Sequence, residues 1–85
     1  MSKIAIGLPA FNEGKNIASI ITQLKKKYTI IIVCDDGSSD LTSDIAEEMG
    51  AIVVKHKTNL GYGAAIRSLF LKANELNCDI LVTFD

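Results

Sequence analysis

Four short runs of Ile, Val and Leu alternate along this chain with three longer stretches in which apolar residues recur every three or four positions. Few folds accommodate that alternation. A strand covered on both faces is nearly all apolar, as parallel strands are, and each amphipathic stretch is then a crossover helix burying one face on the sheet. Strands are expected at residues 3–8, 30–34, 51–55 and 80–84, and helices at 15–28, 41–49 and 61–76. The first helix aligns Ile17, Ile20, Ile21, Leu24 and Tyr28 on one face, the second Leu41, Ile45 and Met49, the third Ile66, Leu69, Phe70 and Ala73. Right-handed crossovers, and the need to bring the tips of strands one and four together, predict a three-layer α/β/α, Rossmann-like fold. Its parallel sheet is expected in the order 3-2-1-4.

Size and charge narrow the reading. A chain of 85 residues buries only about 60–65% of the surface its unfolded form exposes, so stability is expected to be marginal. With 48% hydrophobic and 22% charged residues it still has the makings of a core. It stops at Asp85, directly after an apolar run and without a covering helix, as a piece cut from a larger domain would. The net charge is −1 and the only basic run, Lys25-Lys26-Lys27, suits the last turn of a helix, so no nucleic-acid partner is expected. Cys34 and Cys78 lie in or beside apolar runs without metal-ligand spacing, as small buried residues in a reducing compartment. No signal peptide precedes the first strand and no apolar run approaches the ~18 residues of a membrane span. A cytoplasmic location follows, with any membrane anchor in sequence beyond these residues.

In open α/β sheets ligands bind beyond the carboxyl ends of the strands. Those tips here read Pro9-Ala10-Phe11-Asn12-Glu13, Asp35-Asp36-Gly37-Ser38-Ser39-Asp40, His56 to Gly63, and Asp85. Clustered carboxylates repel and a buried sheet does not need them at its rim, so acids from separate strands converging there point to a cation or polar ligand. Asp40, just before an amphipathic helix, is expected as an N-cap. Asp35 and Asp36 stand where nucleotide-binding folds grip ribose hydroxyls, and an acid there could equally accept from a base N–H. Neither phosphate-cradling glycine motif is present, and the pair Gly61 and Gly63 follows strand three. The charge of a diphosphate would then fall to a divalent cation, Mg²⁺ or Mn²⁺, for which Asp85 is the candidate ligand. His56, between Lys55 and Lys57, reads as a surface or hydrogen-bonding residue.

Taken together, Leu8 to Glu13, Val33 to Asp40, Asn59 to Ala65 and Val82 to Asp85 resemble family 2 glycosyltransferases of the GT-A fold, in pattern most like the dolichyl- or polyprenyl-phosphate mannose synthases. The resemblance implies an inverting transfer of a sugar from a GDP- or UDP-sugar to an acceptor such as a polyprenyl phosphate or a glycan. It implies that Pro9, Ala10, Phe11, Glu13 and Gly61 line the nucleotide-sugar site, that Asp35 and Asp36 hold base and ribose, and that Asp85 is the first acid of a D-x-D metal motif. The second acid and the catalytic base would lie beyond residue 85, so this piece alone is expected to be inactive and prone to self-association. Phe11 stands where many members have Tyr, and Leu69 where Gly is common.

Two other readings remain open on these residues. A phosphorelay receiver would use Asp35 and Asp36 as its acidic pocket and Asp85 as phosphoacceptor, but it leaves residues 1–28 as a surplus βα unit and gives Glu13 no role. A non-catalytic nucleotide-binding module is the other.

Overall fold

A computed structural model of the chain describes residues 2–84. The elements run β1 (Ile4–Ala10), α1 (Ile17–Lys25), β2 (Ile30–Asp35), α2 (Thr42–Glu48), β3 (Ile52–Lys55), α3 (Tyr62–Glu75) and β4 (Ile80–Thr83). All three strand pairings are parallel, as the alternation predicted, and the order is β3-β2-β1-β4, as the crossover argument predicted.

Strand alternation divides the core in two. Ile6, Leu8 and Ala10 of β1 and Ile31 and Val33 of β2 face α1 and α2, where Ile17, Ile21 and Ala46 close over them. Ala5, Ile32 and Cys34 face the other way, against Ala65, Leu69 and Ala73 of α3. The α1 face is the expected one, with Ile20, Leu24 and Tyr28 packed beside the buried pair.

The other two helices depart from the expected faces. Leu41 is 63% exposed, because α2 begins at Thr42 and presents Thr42, Ser43 and Ala46 inward. One residue of offset turns a helix face by about 100°. Phe70 is 55% exposed for a related reason: α3 seats Ala65, Leu69 and Ala73 on the sheet at a spacing of four, and Phe70 is carried a quarter-turn away. Two alanines let this helix approach closely. A Cβ on Gly7 of β1 would stand 3.3 Å from one Leu69 methyl and 3.4 Å from the other, so Leu69 uses the space Gly7 leaves. Beyond the reach of α1, Ile80 and Val82 of the edge strand β4 are exposed beside Ile4, while Leu81 between them packs toward α3.

Candidate nucleotide-binding site

The carboxyl ends of β1 and β2 open into a cleft of about 430 Å³. Pro9 and Ala10 form its floor as the last residues of β1, Phe11 and Glu13 follow them on the β1–α1 loop, and Asp36 stands just past the end of β2. Asn59, Gly61, Tyr62 and Ala65 complete it from the segment that leads into α3. Among the described residues, none of the side chains lining it is cationic.

The loop after β1 is fixed by the loop after β2. Asn12, at φ 53°, turns its N–H to Ser38 Oγ at 2.8 Å and accepts the Ser39 N–H on Oδ1 at 2.8 Å. The Glu13 N–H donates to Thr42 Oγ1 and the Gly14 N–H to Asp40 Oδ2, each at 3.0 Å. Asp40 also accepts the Thr42 N–H and hydroxyl, so it caps α2 from one residue before the N-cap position, which Leu41 occupies. The Thr42 hydroxyl bond leads the contacts that hold the Asp40 carboxyl below the usual carboxylate range.

Asp35 and Asp36 part company at the end of β2. Asp35 continues the strand toward α2 and is 1% exposed, with its oxygens accepting the Ser38 N–H at 2.9 Å and the Ser43 hydroxyl. Asp36 turns to the α3 side, 5% exposed and bordering the cleft. Its Oδ1 accepts the Leu60 N–H and the ring Nδ1–H of His56, both at 2.8 Å, and its Oδ2 accepts the Gly61 N–H at 2.9 Å. Burial pushes this carboxyl's pKa up, but the His56 hydrogen bond and then the two backbone N–H groups outweigh it, leaving the pKa below its ordinary value. Gly61 can aim its N–H this way because it sits at φ 99°, a conformation closed to other residues.

An ionised Asp36 only accepts, so His56 carries its proton on Nδ1. The ring is not at the surface: its side chain is 10% exposed, with Nε2 2.8 Å from Ser68 Oγ of α3 and 3.6 Å from Cys34 Sγ. Of the two expected roles it fills the hydrogen-bonding one. Burial, followed by the charge of Asp36, raises the Cys34 thiol to about 11.

Pro9, Ala10, Phe11, Glu13, Asp36 and Gly61 are thus brought together and Asp35 is not. Asp85 lies outside the described residues. Among those described, no group of three His, Cys, Asp or Glu side chains could hold a metal ion, and no helix is long and apolar enough to cross a membrane.

Residues 5–85 match the model of glycosyl transferase family 2. The chain belongs to that family. An uncharacterised protein of Methanocaldococcus jannaschii is 43% identical over 98% of the chain and 35% of its own length. The UDP-N-acetylglucosamine–dolichyl-phosphate N-acetylglucosaminyltransferase of Methanococcus voltae is 36% identical over 92% of the chain and 38% of its own length. Among solved structures, glucosyl-3-phosphoglycerate synthase of Mycobacterium tuberculosis, in complex with Mn²⁺, UDP and glucosyl-3-phosphoglycerate, superposes with a TM-score of 0.79 at 30% identity. That match covers 99% of this chain and 33% of the synthase. The chain therefore spans about a third of the length of these relatives. The sheet and its flanking helices are part of a GT-A fold, as in these glycosyltransferases. The receiver alternative loses its acidic pocket, since Asp35 and Asp36 leave β2 on opposite faces of the sheet.

Three lining residues, Asn59, Tyr62 and Ala65, were not assigned to the site from sequence. They belong to the glycine-rich segment that opens α3, and the position of that helix end beside the tips of β1 and β2 is what makes them lining residues.

Proposed function

We propose that this chain forms the donor half of an inverting glycosyltransferase, which moves a sugar from a nucleoside-diphosphate sugar to an acceptor. The observation that carries the reading is the cleft itself. An aromatic face at Phe11, buried ionised Asp36 and a backbone floor at Pro9 and Ala10 lie together at the strand ends where such folds take nucleotides. Phe11 stacks on the base and Asp36 accepts from it, while Glu13 serves the ribose.

With no cationic side chain among the described residues lining the cleft, the diphosphate requires a cation from elsewhere. The Phe84 N–H donates to Gly7 O at 2.9 Å, so the chain leaves β4 alongside the strand that ends in Pro9 and Ala10, and the next residue in sequence is Asp85. Asp85 and a second acid two residues on would hold Mg²⁺ or Mn²⁺. When bound, that cation stabilises the charge developing on the departing diphosphate. The relatives' names favour a polyprenyl phosphate as acceptor, which would put the enzyme at the cytoplasmic surface of a membrane.

In the full-length protein, Asp36→Asn should weaken sugar nucleotide and free nucleoside diphosphate together by about 1.5–3 kcal/mol. Asp85→Asn should abolish the metal dependence of turnover and largely spare nucleoside recognition. Because Asp36 also holds the Leu60 and Gly61 N–H groups, a lower melting temperature is expected too, so affinity is the deciding readout. Undiminished nucleotide affinity in Asp36→Asn would overturn the assignment of Asp36. Nucleotide binding without sugar transfer in the intact protein would favour a non-catalytic module.

A further inference from the structure

Within that reading, the hydrogen bonds around Asp36 say which base the site takes. An ionised carboxylate offers about four lone pairs, two on each oxygen. On Asp36, Oδ1 is filled by the Leu60 N–H and His56 Nδ1–H, and Oδ2 already receives the Gly61 N–H. One lone pair remains for a ligand.

The three bonds are not interchangeable with ligand bonds. Two come from consecutive backbone N–H groups, and the one from Gly61 is made possible by its φ of 99°. The third comes from a ring that Ser68 holds from its far side at 2.8 Å. A base can use what is left over but cannot displace these donors without unseating the segment before α3.

Bases differ in how many adjacent donors they present. Guanine offers N1–H and N2–H side by side, a pair that asks for both oxygens of one carboxylate. Uracil offers a single N3–H flanked by two carbonyl oxygens. The side-chain amide of Asn59, on the same cleft, is a donor type suited to such a carbonyl.

We infer that Asp36, with Oδ1 closed by His56 and Leu60, is a single acceptor that selects uracil over guanine, making the donor a UDP-sugar. Guanine would satisfy only one of its two adjacent donors on Asp36. His56 is then a positioning residue for specificity, acting through Asp36 without touching the ligand.

Calorimetry on the full-length protein with UDP and GDP, each with Mn²⁺, tests this directly, since the shared diphosphate cancels. UDP is expected to bind tighter by about tenfold or more, the effect of one unpaired donor. GDP binding as tightly as UDP would overturn the inference, showing a second acceptor such as Glu13 within reach, and would leave the nucleotide site standing. Binding of neither would overturn the proposed function instead. His56→Ala opens the second lone pair on Oδ1 and should narrow the UDP to GDP ratio, whereas His56→Asn, which keeps a side-chain N–H, should retain more of it. A purely structural role for His56 would weaken both nucleotides equally and leave the ratio unchanged, which would also overturn the inference. Should His56→Ala fail to fold, Ser68→Ala loosens the same ring and is read in the same way.

Discussion

Gly37 lies directly beneath the peptide that joins Thr58 to Asn59: a Cβ on Gly37 would stand 2.4 Å from the Thr58 carbonyl carbon and 2.5 Å from the Asn59 nitrogen. Its φ of 78° is also one that glycine alone adopts freely. Gly37→Ala should therefore destabilise the fold by about 2 kcal/mol or more and displace the segment that carries Asn59 and Gly61. Gly61→Ala is the control. It meets only strain, since nothing lies within 4 Å of its added Cβ, and should cost about 1–3 kcal/mol. Thermal melts of the two variants, with nucleotide titrations, check both.

Acid should loosen the cleft. The Asp36 pKa is lower in the folded chain than its unfolded value of about 3.9, so its charge stabilises the fold above that value. The contribution is lost as pH falls through the lower folded value. Asp40 acts in the same direction. Melting temperature should hold between about pH 7 and 5 and drop below about pH 4, and Asp36→Asn should make the drop shallower. An unchanged acid slope in that variant would show that the Asp36 bonds contribute nothing.

Cys34 should resist alkylation at neutral pH. With its thiol raised to about 11 by burial and by Asp36, only roughly one molecule in 10⁴ is thiolate at pH 7, and the side chain is buried as well. Iodoacetamide followed by mass spectrometry should mark Cys78, which is partly accessible, well before Cys34.

The strands and their parallel direction were legible because apolar runs separate doubly covered strands from crossover helices, and their order because right-handed crossovers and a shared site at the tips of strands one and four leave few arrangements. Strand-end geometry pointed to the loops and to Asp36, while Pro9, Ala10, Phe11, Glu13 and Gly61 were expected there through the resemblance, and all six border the cleft. The separate roles of Asp35 and Asp36 were missed by ending β2 at Cys34. The strand continues to Asp35, and a period of two then sends neighbouring acids to opposite faces. His56 was obscured for a different reason. Its partners are 20 and 12 residues away in sequence, and two flanking lysines suggested a surface position.

The 85 residues taken alone should self-associate. Ile80 and Val82 are 44% and 47% exposed on an edge strand whose outer rim has no partner among the described residues. Sedimentation should show oligomers that grow with concentration, and Val82→Lys should reduce them. A stable monomer at all concentrations would refute this.

The hydrogen bonds that tie residues 12–14 to residues 38–42 make the floor of the cleft and its Phe11 wall one mechanical piece. On the opposite wall, Leu60 and Gly61 are tied to the tip of β2 through one carboxylate, Asp36, while the peptide before them rests on Gly37. The anion proposed to recognise the base is thus also a structural tie, so any shift of Leu60 and Gly61 would have to break or remake bonds to the group the ligand needs.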